Sequence, residues 1–519
     1  MVLISDFNLH GSSGRCILRL KDTLLLRLIL PQQQWRAECR SCSAAVFPVV
    51  VLVVCHPYIL FLQRVFDTVK QRNICYAPHV YYNGSMNPLT FEYRESALVD
   101  DVDIAHTASA LSEYQKHLQN VSHSVGYDFA ESSINLPFDT ELHQRVADCA
   151  RDKDTGNLKY IIVVGIGGSN LGARAVYEGL RGIINQPFPK IIFADTLSSK
   201  LFDDASALFE GLKEEEILVN VISKSGTTTE TIAFGEAFIA ALKDRMPRIY
   251  DRVVVTTDEG SKLWNSAKEK NFALLAIPKN VCGRYSVMSA VGLFPLLLAR
   301  VNIGQVAEGA RLLRDLCISG SLDENIALVS ASLIHIHALK GSRINDNFFF
   351  IPELESVGKW YRQLMGESLG KERDTEGVVV HRGITPTVSI GPTDLHSMAQ
   401  LYLAGPRDKF TNFVVASNIR ETARVPKALT FPGLVGGIEG KSFVEIMNAI
   451  YGGIRAAYCV NQIPFMEVKM PSASEYTIGA YFQFKMLEMM YLARLTGVNA
   501  FDEPNVEEYK KETRKLLGS

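Results

Sequence analysis

Two turns rich in small and hydroxylated residues carry the first chemistry in this sequence. Gly165-Ile-Gly-Gly-Ser-Asn170 follows the apolar run Ile161–Val164, and Ser223-Lys-Ser-Gly-Thr-Thr-Thr-Glu230 follows the apolar run Ile217–Ile222. Ser169 or Asn170 can cap a helix that runs from Leu171, and the second turn leads into a helix through Phe238. A strand, a small-residue turn and a helix start aim free backbone N–H groups and a positive dipole end at one point, which suits an anion such as phosphate. Two such turns side by side at the carboxyl edge of one sheet imply a phosphorylated ligand in the crevice there. Neither turn is a nucleotide fingerprint: Lys224 does not follow the second glycine of a P-loop, and Asn170 stands where the dinucleotide motif requires glycine. Either turn alone reads equally well as packing and capping; their pairing favours function.

Further groups could act on a bound phosphate ester. Glu353 and Glu355 follow an apolar run that ends at Ile351. If the chain there is extended they share a face, and a glutamate enclosed in a pocket can serve as a general base. His396 lies in Gly391-Pro-Thr-Asp-Leu-His-Ser-Met398. Thr393 or Asp394 would cap a helix through Leu403, placing His396 in its first turn, where the dipole favours the neutral ring. Arg284 follows Gly283 and could hold charge developing on an oxyanion. Lys510 and Lys511 lie in a terminal charged helix that reads by itself as a solvated face. For Glu355, His396 and Arg284 the plain alternatives are a solvated loop carboxylate, a surface imidazole and a structural ion pair. His335 and His337 do not share a helical face and have no third ligand at metal spacing, so no metal site is expected.

The elements that must position these groups alternate. Strands are expected near 160–165, 190–195, 217–222, 252–257 and 273–277 with helices between them, the pattern of a doubly wound, largely parallel sheet. A buried helix over Val287–Ala299 and helix-forming sequence to about Lys340 follow. A second α/β round has strands at Phe348–Ile351, Val378–His381, Asn412–Ala416 and Pro464–Met470. Its helices are Ser442–Cys459 and Ser474–Gly497, and a short helix near Val506–Leu517 ends the chain. Ahead of the first sheet, helices are expected over Asp103–Val121 and from Asp139 to Ala150. No repeat of fixed period appears, though the two α/β halves look like a loose duplication.

With 519 residues the chain is long for a single core. Apolar residues at 47% and charged residues at 21% are ordinary for a globular protein. A net charge of −2 gives no case for nucleic acid or an anionic membrane surface as partner. Nine scattered cysteines make no disulfide framework and suggest reduced thiols; Cys39-Arg-Ser-Cys42 is a lone pair. Residues 1–80 differ from the rest. Their apolar stretch Phe47–Leu62 is short for a membrane span, is interrupted by His56-Pro57, and lies too far from the start for a cleaved signal. A membrane anchor, a genuine added segment and sequence joined by a misplaced start codon compete, and the last is favoured. Ordered sequence is expected from near Leu89.

Taken together, the motifs resemble the glucose-6-phosphate isomerase (phosphoglucose isomerase) family. They are Gly165–Gly172, Ser223–Thr231, Gly283-Arg-Tyr-Ser-Val-Met-Ser-Ala-Val-Gly-Leu293, Glu355-Ser-Val-Gly-Lys359, Asp394-Leu-His-Ser397 and the tail Gly497–Lys510, in the family's order from about Leu89 onward. The shorter bacterial branch is the most similar. The resemblance implies an α/β fold of two sugar-isomerase (SIS) domains with doubly wound, mostly parallel sheets. It divides the chain into 1–85 (an extension outside the family pattern), 86–145 (helical, packing on the second domain), 146–310 and 311–500 (the two SIS domains) and 501–519 (the tail helix carrying Lys510).

It further implies reversible interconversion of glucose 6-phosphate and fructose 6-phosphate in the cytoplasm, in glycolysis and gluconeogenesis. No metal or organic cofactor is implied, and the active sites are shared between the chains of a homodimer. Gly168, Ser169, Ser223, Lys224, Ser225, Thr228 and Glu503 match substrate-binding positions. Glu355 matches the base that moves the proton between C1 and C2, and Arg284 the residue that steadies the enediolate. His396, from the partner subunit, and Lys510 match the groups that open the ring. Glu503 is a departure, since the family usually has glutamine there, and so is Val357 in place of an asparagine common in larger members. A sugar-phosphate sensor would keep the phosphate turns but has no need for Glu355, His396, Arg284 and Lys510 together. Activity on mannose 6-phosphate is left open by the sequence.

Overall fold

In the computed structural model the apolar runs of residues 160–277 pair into one wholly parallel sheet. Its strand order is Ala273–Ile277, Val253–Asp258, Ile217–Ile222, Tyr160–Val164, Lys190–Ala194. The structure describes residues 88–518 apart from 185, together with the strands Arg15–Leu20, Leu24–Ile29, Tyr81–Tyr82 and Ser85–Met86. The chain forms two units, Met1–Asn73 and Ile74–Ser519. In the first, Arg15–Leu20 pairs antiparallel with Leu24–Ile29. The Phe47–Leu62 stretch and the Cys39–Cys42 pair lie outside the described residues.

All five expected strands of the first sheet are present. The central pair, Tyr160–Val164 and Ile217–Ile222, is buried on both faces, which is why it reads as apolar runs, interrupted only by the buried Asn220, rather than alternation. The chain runs from Tyr160–Val164 outward to Lys190–Ala194 and then crosses back to Ile217–Ile222. The order therefore reverses between the two strands that carry the glycine and hydroxyl turns, and the crevice at such a switch point is where α/β sheets bind ligands.

The second sheet has the order Thr385–Ile390, Ile344–Phe349, Lys409–Ala416, Phe465–Met470, Thr90–Glu92. The first four strands are parallel and the last is antiparallel. It departs from expectation in two places. Val379–Arg382 is not in this sheet; it pairs antiparallel with Lys371–Arg373 as a separate hairpin. Its place at the edge is taken by Thr385–Ile390, whose Pro386 an edge strand tolerates. The strand expected at Phe348–Ile351 begins earlier, at Ile344, because its first residues are a buried polar run, Asn345-Asp346-Asn347.

The expected helix over Asp103–Val121 is broken into Asp101–Ser109 and Ser112–His123. Asp139 caps Thr140–Lys153 by accepting from the Leu142 N–H at 2.8 Å. Ser474 caps Glu475–Thr496, which ends at Gly497 in the left-handed conformation. This last helix is buried on every face from Thr477 to Ala493 and packs against Ile303–Ser319, Ile326–Leu339 and Glu355–Leu369. Its buried charges are paired, Lys485 with Glu488 at 2.7 Å, as their place inside a large core requires. Among the described residues no helix is long and apolar enough to cross a membrane.

Candidate active site

The glycine and hydroxyl turns lie side by side because their strands pair in register, Val164 opposite Val221. In the hydroxyl turn, Ser223 is buried and its Oγ shares a hydrogen bond with Thr228 Oγ1 at 2.8 Å. Ser225 is exposed, and its Oγ accepts from the Thr227 N–H at 3.3 Å. Gly226 (φ +68°) makes the reversal, donating to the Ser223 carbonyl at 3.2 Å. Thr228 precedes the helix Thr229–Lys243 without its side chain capping it, so hydroxyls and uncapped helix N–H groups face the same crevice. Asp258 ends the neighbouring strand, its N–H donating to the Lys224 carbonyl at 3.2 Å. Burial pushes its carboxyl up to about 6, against the pull of Lys224 and Lys279.

The glycine turn folds as a short 3-10 helix, Gly167–Ser169, against another, Gly283–Tyr285, that carries Arg284. A Cβ on Gly168 would stand 2.2 Å from the Gly283 carbonyl carbon. Only glycine permits this approach. Asn170 precedes the helix Leu171–Arg181, but neither it nor Ser169 caps it, and the buried Asn170 amide has no partner among the described residues.

Arg284 is the most heavily bonded side chain of the site, with 1% of its side chain exposed. Its Nε donates to Ser368 Oγ at 3.1 Å, one terminal nitrogen to Glu367 (3.1 Å) and Glu503 (2.8 Å), and the other to the carbonyls of Ala500 (2.7 Å) and Asp502 (3.2 Å). Behind it, Lys371 pairs with Asp502 at 3.1 Å. Trp360 Nε1 donates to the Arg284 carbonyl at 3.2 Å.

Glu367, Ser368 and Trp360 belong to the helix Glu355–Leu369, which also packs on the helix leaving the glycine turn. The two sheets therefore meet at this helix, and Glu355 is its first residue. Glu353 lies inside a 3-10 turn, Pro352–Leu354, and Glu355 starts the helix after it, so the extended pairing expected for them does not occur. Nor is Glu355 enclosed: 51% of its side chain is exposed, and it pairs with Lys359 at 2.8 Å, one helical turn on.

His396 leaves the carboxyl end of Thr385–Ile390, the strand beside the one that leads to Glu355. It lies near the end of a five-residue helix, Thr393–Ser397, and is exposed. The expected single helix through Leu403 breaks at Met398, and Asp394 accepts from the Ile390 N–H at 2.7 Å rather than capping forward. Lys510, in the helix Val506–Leu516, pairs with Glu507 at 2.7 Å. The structure thus brings Gly168, Ser169, Ser223, Lys224, Ser225 and Thr228 to one crevice, with Arg284 and Glu503 beside them. Glu355 heads the adjoining helix, whereas His396 and Lys510 touch none of these residues.

Sequence reading missed Glu367, Ser368 and Gln363, whose Nε2 donates to Glu367 at 2.9 Å. The available signal was helical spacing, since Trp360, Gln363 and Glu367 recur on one face. Among the described residues there is no cluster of His, Cys, Asp and Glu able to hold a metal ion. His337 instead meets the Ala97 carbonyl at 2.7 Å and stacks on Phe410.

A model of the phosphoglucose isomerase family matches residues 140–428. Glucose-6-phosphate isomerases of Streptococcus pyogenes are similar over most of the chain: one from serotype M6 is 31% identical over 448 residues, covering 83% of this chain and 97% of the relative. One from serotype M1 is 30% identical over the same shares. A solved structure of a hypothetical protein of Thermus thermophilus superposes with a TM-score of 0.71 at 28% identity, covering 83% of this chain and all of that one. A glucose-6-phosphate isomerase of Chlamydia trachomatis shares the fold, with a TM-score of 0.71 at 20% identity, 84% of this chain and 89% of that one being covered. On this match over most of its length, the chain belongs to the phosphoglucose isomerase family.

Proposed function

We propose that this chain interconverts glucose 6-phosphate and fructose 6-phosphate, as a cytoplasmic enzyme of glycolysis and gluconeogenesis. The observation that carries the reading is the pairing of an anion-binding switch point with a buried guanidinium: Arg284 sits on a turn in van der Waals contact with Gly168, whose own turn follows the strand paired with the one leading to Ser223, Ser225 and Thr228. The phosphate binds at the hydroxyl turn and the helix start after it, with Lys224, Gly168 and Ser169 alongside. That leaves the sugar carbons toward the helix headed by Glu355.

In the open-chain aldose, the Glu355 carboxylate takes the proton from C2. The C–H electrons form a C1–C2 double bond, and the carbonyl electrons move onto O1. Arg284 steadies the resulting enediolate while the O2 hydroxyl proton passes to O1; the O2 electrons then form the C2 carbonyl as the C1–C2 pair takes the proton back from Glu355 at C1. His396 and Lys510 move protons at the two ring-end oxygens. We take His396 to come from the partner subunit of a homodimer, a reading supported by its exposure away from the Arg284 cluster. In the same reading, residues 86–145 pack on the second domain, 146–310 and 311–500 are the two SIS domains, and 501–519 form the tail.

The test is a coupled dehydrogenase assay of glucose 6-phosphate formed from fructose 6-phosphate, with Glu355→Gln alongside. Loss of a general base costs about 10²- to 10⁴-fold in kcat. The variant should fall by that amount while still binding the sugar phosphate. Turnover near the wild-type rate would remove Glu355 as base, and binding without turnover in the wild type would indicate a sensor.

A further inference from the structure

The guanidinium of Arg284 has no donor to spare. It carries five N–H groups, and five partners take them: Ser368, Glu367, Glu503 and the carbonyls of Ala500 and Asp502. An anionic oxygen of a substrate can reach this arginine only by displacing one of them.

The five partners are not equally displaceable. The two carbonyls are main chain, and Ser368 is buried within a helix. Glu367 is 35% exposed but is held a second time, its other oxygen accepting from Gln363 at 2.9 Å. Glu503 is 44% exposed, lies in the short link between the helices Glu475–Thr496 and Val506–Leu516, and its carboxylate bonds to nothing but Arg284 among the described residues. It is also the excess charge of the cluster. Arg284 and Lys371 are the cations, set against the carboxylates of Glu367, Asp502 and Glu503.

We propose that Glu503 is a displaceable counter-ion of Arg284: it holds the guanidinium in the free protein, and the oxyanion of the reacting sugar takes its place. The inference rests on the isomerase reading for the identity of that oxyanion, but not for the displacement itself. Glu503 then sets how much anion binding energy is spent before Arg284 can act. Because Glu503 bonds to Arg284 and, among the described residues, to no residue of the phosphate turns, only a ligand with a second anionic centre at the sugar end should sense it.

The test uses two probes of the full-length protein. One is inorganic phosphate; the other is the 5-phosphate of a five-carbon sugar acid, whose planar carboxylate imitates an enediolate. Binding of each is measured by calorimetry to the wild type, Glu503→Gln and Glu503→Ala, with kcat and KM for fructose 6-phosphate alongside. A neutral partner makes a hydrogen bond about half as strong as a charged one, so the sugar-acid phosphate should bind both variants about tenfold more tightly. Inorganic phosphate should change less than about twofold, since its contacts are untouched. Equal or weaker binding of the sugar acid to both variants overturns the proposal, because Glu503 would then only brace the tail. Equal tightening of both probes also overturns it, since that reports a general charge effect. If the wild type shows the binding contrast but does not isomerise, the counter-ion stands and the assigned reaction falls.

Discussion

Ser225 and Glu355 occupy opposite kinds of position, and the difference should appear in different kinetic constants. Ser225 is exposed in the hydroxyl turn and braces only Thr227. In the proposed site it touches the phosphate, which does not change during the reaction. Ser225→Ala should therefore raise KM by about tenfold, the size of one hydrogen bond to a charged group, with kcat within about threefold. A fall in kcat matching that of Glu355→Gln would place Ser225 in the chemistry instead. The hydroxyl turn was readable because its residues are contiguous, and one local geometry delivers them together. The partners of Arg284 were not, because Ser368 and Glu503 reach it from 84 and 219 residues away. Helical spacing puts Glu367 on one face with Trp360 and Gln363, but nothing local says that this face meets Arg284.

At the scale of elements, the site depends on a contact made without side chains. The turn carrying Gly168 and the turn carrying Arg284 touch backbone to backbone, and any Cβ at position 168 would overlap the Gly283 carbonyl. Forcing atoms into a packed contact costs about 1–3 kcal/mol. Gly168→Ala should lower the thermal midpoint by a few degrees and, by pushing Arg284 off its position, reduce kcat/KM by about 10²-fold or more. Normal activity with the alanine in place would show that the two turns can separate without harm. The same scale explains which strands were legible. Tyr160–Val164 and Ile217–Ile222 are interior strands and apolar but for Tyr160 and Asn220. Thr385–Ile390 and Thr90–Glu92 are edge strands, one polar and proline-bearing, the other three residues long. Their pairing is decided by neighbours rather than by their own pattern. Val379–Arg382 has strand composition but spends it on a local hairpin.

For the whole molecule, the unit Ile74–Ser519 contains both sheets and every proposed site residue. A chain beginning at Ile74 should accordingly keep wild-type kcat and KM; an inactive truncation would give the first unit a part in the reaction. The stability of that unit carries two buried titrating groups with opposite signs. Asp346 lies in Ile344–Phe349, an interior strand of the second sheet, and accepts from Thr387 (2.6 Å), Ser389 (3.0 Å) and Tyr402 (3.3 Å), while its other oxygen has no partner among the described residues. Burial pushes its carboxyl up to about 6, against those hydrogen bonds. The folded state therefore holds this proton longer than the unfolded chain, and the stability it provides is full below about pH 4 and is lost as pH rises through 6, a change of about 3 kcal/mol. His337 behaves oppositely: burial lowers it to about 4, so its stability is present above pH 6.5 and is lost as pH falls toward 4. Asp346→Asn leaves a neutral amide whose fit does not depend on pH. Its stability relative to the wild type should therefore improve by about 3 kcal/mol between pH 4 and 7 in urea unfolding. His337→Gln should do the reverse, comparing best with the wild type at the acid end. If either difference is flat with pH, that group titrates alike in the folded and unfolded chains and its burial does not govern it.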